Sequence, residues 1–248
     1  MLNVVDLPSP NHEERAAGTP VDILLLHYTG MESGEAAIER LRDAVNPPRV
    51  SSHYVVRENG EILRLVEEEH RAFHAGVSSW AGATDINSRS IGIEIVNGGH
   101  DFGCPPYPAA QMQAVIALSQ DILARWPAIR PARVIGHSDV APLRKQDPGE
   151  WFDWKALAAA GVGLWVEPAA LRAGPVLREG DQGAAVEAIQ AGLARYGYGI
   201  KVDAVFGEET KAVVTAFQRH FRPAQVDGEA DMSTRETLVR LLSAADPR

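Results

Sequence analysis

A chain of 248 residues with 45% hydrophobic and 23% charged side chains can bury a sizeable core and has the make-up of an ordinary globular protein. Its net charge of −9 argues against a nucleic-acid binder, which would carry a basic stripe, and against a role on anionic membrane surfaces. The single cysteine, Cys104, excludes an internal disulfide framework and any cysteine-rich zinc site.

In chain order, the opening MLNVVDLPSPNHEERAAG has no basic region followed by an apolar stretch, and no apolar run approaches membrane-spanning length. The expectation is a cytoplasmic protein, or one of the cell envelope if an export segment has been removed. VDILLLHY (residues 21–28) is an apolar run of strand length, expected to be buried on both faces. SGEAAIERLRDAV (33–45) spaces its apolar residues as a helix does. SHYVVRENGEILRLV (52–66) reads as two strands around Asn59-Gly60, a hairpin signal. SIGIEIVN (90–97) is another buried strand, with Ile91, Ile93 and Ile95 on one face and Glu94 on the other. Residues 109–126 set Met112, Val115, Ile116, Ser119, Ile122, Leu123 and Trp126 on one helical face, and Pro127 ends it. ARVIGH (132–137) is a short strand. Strands mixed with helices, with a hairpin among them, predict an α/β (α+β) fold over residues 1–160: a mixed central β-sheet flanked by helices.

Periodicity lapses over 161–179, which reads as a linker, with Trp165 expected to pack on one of its two neighbours. Residues 180–245 predict a small three-helix bundle. Its first helix has the apolar stripe Val186, Ile189, Leu193. Then come two echoing segments, VDAVFGEETKAVVTAFQ from Val202 and VDGEADMSTRETLVRLL from Val226. A bundle of this size is expected to attach rather than to catalyse.

Two histidines stand apart. His27 ends the run Ile23–Leu26, and His137 ends Val134-Ile135; strand ends are where open α/β sheets place their sites. With Asp147 they make a three-ligand set for zinc (Zn2+) that leaves a fourth position for water. On spacing alone, a pair of hydrogen-bonded core histidines stands equally open. Glu94 favours the zinc reading, because a mid-strand carboxylate is costly to bury and a hydrolytic zinc site needs a base. Lys145, two residues before Asp147, would then face the developing oxyanion.

These stretches carry a resemblance. LLHYTG, SSHYVV, FHAG, SIGIEIVN and GHSDVAP-RK-DPG, between about residues 20 and 160, resemble the type 2 N-acetylmuramoyl-L-alanine amidases, zinc amidases related to peptidoglycan-recognition proteins. The patterns G-D-x-G-x-x-V-x-x-x-Q at 180–190 and V-D-x-x-F-G-x-x-T at 202–210 resemble the three-helix peptidoglycan-binding module. The resemblance implies zinc on His27, His137 and Asp147, Glu94 as general base and Lys145 as oxyanion stabiliser. It implies cleavage of the amide between the lactyl group of N-acetylmuramic acid and L-alanine, with peptidoglycan or muropeptides as the partner. His53, His74 and Asn97 fall in motif positions, as substrate contacts or ligand supports, and Tyr28 and Trp80 offer apolar surface; for each, plain packing is the alternative. A non-catalytic peptidoglycan-binding or sensing protein and a zinc hydrolase of another amide are the competing functions.

Overall fold

The structure is a computed structural model that describes residues 2–245. Two short strands without a strong sequence signal, β1 (Val4–Asp6) and β2 (His12–Glu14), precede β3 (Ile23–Tyr28). Helix α1 (Gly34–Arg42) starts at Ser33, whose hydroxyl accepts from the Ala36 amide. The expected hairpin forms from β4 (Tyr54–Val56) and β5 (Ile62–Arg64), and Gly60 supplies the positive φ of its turn, 87°. Strand β6 (His70–Ala72) pairs with β2 in a two-stranded side sheet. There follow α2 (Ile86–Arg89), β7 (Ser90–Ile95), α3 (Ala109–Arg125), β8 (Val134–Gly136), α4 (His137–Val140) and α5 (Trp154–Ala159).

The main sheet runs β1-β5-β4-β7-β3-β8 and is parallel except for the β4–β5 hairpin, so the expected mixed sheet flanked by helices is what forms. Register divides the side chains cleanly. Leu24, Leu26, Ile91, Ile93 and Ile95 join Met112, Val115, Leu118 and Ile122 of α3 in one core layer. Gln111 of α3 locks this layer by donating to the carbonyls of Val56 and Val96. On the opposite face, α1 covers Val55, Leu63 and Val96 with Ile38 and Leu41. Arg15 ties the N-terminal segment down by donating to the carbonyls of Glu68, Asn87, Ser88 and Ser90.

The C-terminal part holds α6 (Ala184–Tyr196), α7 (Glu208–Phe221) and α8 (Met232–Ala245). The sequence echo has a structural counterpart. Gln190 accepts from the amides of Asp203 and Ala204 and donates to Val205 and Thr210. Gln218 accepts from the amides of Asp227 and Gly228 and donates to Glu229 and Thr234. One buried glutamine therefore closes each Val-Asp loop.

The bundle does not stand off from the sheet. Ile23, Leu25, Ile135, Val140 and Trp80 share a hydrophobic cluster with Val186, Leu193, Val213, Phe217 and Phe221. Trp165, in the connecting stretch, packs against both this cluster and the α3 layer rather than on one side alone. Among the described residues, no helix is long and apolar enough to cross a membrane.

Candidate active site

The site forms at the C-terminal ends of β3, β7 and β8, where parallel order brings three strand ends side by side. Register places His27 opposite Glu94, and Glu94 opposite Val55. His27 and Glu94 therefore leave the sheet on one face, the face where Leu25 packs with the bundle and Val55 packs with α1. His137 follows β8 directly, and Asp147 returns at the end of the same loop, with Pro148 against Gly136. A Cβ on Gly136 would stand 2.7 Å from Pro148, so the loop's two ends close only over glycine.

Nδ1 of His27, Nδ1 of His137 and Oδ2 of Asp147 converge, with mutual distances of 2.9, 3.0 and 3.0 Å. All three residues are buried. The protons on the two imidazoles follow from what lies behind them. Nε2 of His137 is 3.0 Å from the Ala75 carbonyl, which only accepts, so Nε2 carries the hydrogen and Nδ1 is bare. Behind His27 a relay runs outward: its Nε2 donates to Nδ1 of His74 (3.1 Å), and His74 Nε2 donates to the Ser90 hydroxyl (3.4 Å). That hydroxyl donates to the Ile86 carbonyl (2.6 Å). This chain too ends on a pure acceptor, which leaves Nδ1 of His27 bare.

Electrostatics agree with that assignment. Burial and the neighbouring His137 push His27 down to about 4, and burial with His27 beside it pushes His74 well below its ordinary value, so both are neutral. Burial alone would raise Asp147, but positive charge and N–H donation from His137 and His27 outweigh it and hold its carboxyl far below the carboxylate range, so its oxygen draws positive charge to this point, from a protonated imidazole or from a cation. With both rings in the tautomer set by the groups behind them, two lone pairs and an anionic oxygen face one point. That donor set fits a divalent cation, and it is the one group of three such side chains with converging atoms among the described residues.

A cavity of about 330 Å³ opens beside it, lined by Tyr28, His74, Glu94, His137, Lys145 and Asp147 among others. Glu94 is partly exposed to it, yet its Oε2 is buried without a partner. Burial raises the Glu94 carboxyl well above its ordinary value, the Asp147 charge adds to this, and Lys145 opposes it. An unpaired carboxyl of raised pKa beside a donor set that fits a cation is suited to moving a proton to and from a water.

Of the other residues singled out in the sequence, His74 both lines the cavity and supports His27. It needs Gly92, where a Cβ would meet its ring at 2.7 Å. Tyr28 lines the cavity with its hydroxyl on Nδ1 of His100. His53, Asn97 and Trp80 are buried and lie outside the cavity lining. His53 accepts from the Gly92 amide and donates to the His70 carbonyl, bracing β7. Asn97 holds the loop after β7 through Gly99 and Pro105, and Trp80 packs edge-on against Tyr196 and Tyr198 of the bundle.

Two contributors carried no local signal. His100 lines the cavity and passes the Tyr28 hydroxyl on to Glu150, 50 residues further along the chain. Arg144 donates to the carbonyls of Ala75 and Val77, fixing the acceptor that orients His137. Each partner is remote in sequence, and only the fold brings them together.

A convergent His-His-Asp group with a buried carboxyl of raised pKa beside it, on a mixed sheet, is a set of parts suited to hydrolysis, and the comparisons give the family. Residues 17–150 match the N-acetylmuramoyl-L-alanine amidase family, and residues 182–238 match a peptidoglycan binding domain family. The N-acetylmuramoyl-L-alanine amidase AmiD of Escherichia coli is 38% identical over 242 residues, 93% of this chain and 85% of that protein. The 1,6-anhydro-N-acetylmuramyl-L-alanine amidase AmpD of Enterobacter cloacae is 34% identical over 64% of this chain and 90% of its own. Among solved structures, E. coli AmiD in complex with anhydro-N-acetylmuramic acid-L-Ala-D-gamma-Glu-L-Lys superposes with a TM-score of 0.75, covering 93% of this chain and 92% of that one. AmpDh3 of Pseudomonas aeruginosa in complex with an anhydromuramic pentapeptide reaches 0.73 at 30% identity, covering 95% and 97%. The chain belongs to the N-acetylmuramoyl-L-alanine amidase family.

Proposed function

We propose that the chain is a zinc-dependent amidase that hydrolyses the bond between the lactyl group of N-acetylmuramic acid and L-alanine in anhydromuropeptides or peptidoglycan. The observation that carries this is the triad of bare Nδ1 atoms and Oδ2 facing one point, beside the unpaired Oε2 of Glu94. The AmiD and AmpDh3 complexes, which hold anhydromuramic peptides on the same fold, support the substrate class.

His27, His137 and Asp147 would hold the zinc ion. Zinc bound there supplies a Lewis acid and brings the pKa of water near neutrality. Glu94 takes the proton from the attacking water and returns it to the leaving amine of L-alanine, a double role that its raised pKa favours. Lys145 sets a positive charge against the oxygen of the tetrahedral intermediate. His74 keeps His27 in the right tautomer, and Tyr28 walls the cavity. Residues 1–160 carry the reaction, and 180–245 form a peptidoglycan-binding bundle.

The test is the zinc content and product spectrum of the purified protein given an anhydromuropeptide and intact sacculi side by side. Release of free stem peptide that stops with chelation and returns with zinc is expected. Tight binding without turnover by zinc-loaded protein would move the function to recognition alone.

A further inference from the structure

Asp139 lies two residues past His137 and is 1% exposed. Its carboxylate receives three donors. Oδ2 accepts from the Gly136 amide at 2.8 Å and from Nδ1 of His220 at 2.8 Å, and Oδ1 accepts from the Tyr198 hydroxyl at 2.6 Å. Two of the three belong to the bundle. Further along the same loop, Arg219 donates to Oε1 of Gln146 at 2.9 Å and stands 3.7 Å from Oε2 of Glu150. Glu150 accepts from His100, which holds the Tyr28 hydroxyl. The segment that carries both His137 and Asp147 is therefore gripped by α7 and the α6 exit at its two ends.

His220 is more than packing. Its ring stacks on Trp154 at 3.7 Å, and its Nε2 is buried with no partner among the described residues. Phenylalanine would fill that stack without stranding a nitrogen. What histidine adds is the donor at Nδ1, and that donor goes to Asp139.

We propose that the C-terminal bundle is a positioning element of the reaction centre: through Tyr198, Arg219 and His220 it holds the 136–150 loop in the geometry that places His137 and Asp147. This goes beyond attachment to the cell wall, and it rests on the reading of that loop as a metal site. Outer partners that orient ligands typically change metal affinity or activity by about 10- to 100-fold when removed.

The experiment uses the full chain loaded with zinc, and separately with Co2+, whose visible absorption reports ligand geometry. The substrate is a soluble anhydromuropeptide, on which attachment to a polymer has no bearing. His220→Phe keeps the ring stack and removes the donor. It is expected to lower kcat about 10-fold with KM little changed, to weaken metal binding in chelator competition, and to shift the Co2+ bands. His220→Gln, which retains an N–H donor, is expected to recover most of the loss. Tyr198→Phe, which removes a single oxygen, is read for the same changes if His220→Phe does not fold. Wild-type kcat, metal affinity and Co2+ spectrum in the folded variants would overturn the proposal. A wild-type protein that takes up no metal would instead overturn the metal reading beneath it.

Discussion

In the proposed mechanism Glu94 is the residue on which the chemistry turns, and its surroundings set two expectations. As the base it must be ionised, so activity falls as pH drops through its pKa. Burial raises that pKa, while Lys145 and a cation on Asp147 oppose it, so the acid limb of kcat/KM is expected to follow the balance of these charges. Lys145 lowers the Glu94 pKa, so Lys145→Met is expected to move the limb to higher pH while cutting kcat by roughly 10²-fold. A limb unmoved in the variant would contradict the placement of Lys145 beside Glu94. Glu94→Ala, the simpler change, is expected to remove about 10²- to 10⁴-fold of activity with zinc content and melting temperature preserved.

At the scale of elements, β7 shows how a small residue serves the site from below. Gly92→Ala would drive a methyl into the His74 ring, break the relay behind His27, and cost roughly 10- to 100-fold in metal affinity, measured by chelator competition. Glu68 ties β4 to the end of α3, accepting from Tyr54, Arg125 and Trp126. Burial by itself would raise its carboxyl, but hydrogen bonds from Arg125, Trp126 and Tyr54 outweigh that and hold it below its ordinary value. A depressed folded pKa means that the unfolded chain binds the proton more readily. The stabilisation is thus complete above the unfolded value near 4.5 and fades as pH falls through the folded one. Glu68→Gln is expected to cost about 1–3 kcal/mol at pH 7, with the gap to wild type closing toward pH 3 in denaturant titrations.

Long apolar runs and sustained periods announced β3, β7, α3 and the three bundle helices, because burial on a sheet or against a helix face leaves a repeating mark. The Asn59-Gly60 hairpin was announced by its turn. Strands β1, β2 and β6 have three residues each and draw their stability from edge pairing, so no period could reveal them. For the site, His27, His137 and Asp147 were visible as polar residues closing apolar strands and a turn-rich loop. His100, Arg144 and His220 were not, since their partners lie 50 to 81 residues away and no local spacing encodes them.

Taken as a whole molecule, the chain has a hydrophobic cluster continuous from sheet to bundle, which bears on how it unfolds. Because Ile23, Leu25 and Trp80 share a cluster with Phe217 and Phe221, thermal unfolding is expected as one cooperative transition rather than two. Trp80→Ala, at the centre of that seam with 1% exposure, is expected to cost about 3–5 kcal/mol and to lower the stability of both parts together. Two separated calorimetric peaks would show that the seam contributes little. The seam also ties the bundle to the loop that carries His137 and Asp147, so stability and catalysis are coupled across the chain.

The zinc-amidase function is tested by mass spectrometry of the products from an anhydromuropeptide, using metal-free protein, zinc-reconstituted protein and zinc-loaded Glu94→Ala. Free stem peptide and the free anhydro-sugar are expected from the reconstituted protein alone, with one zinc bound per chain. An intact muropeptide after incubation with protein that holds zinc on His27, His137 and Asp147 would contradict it.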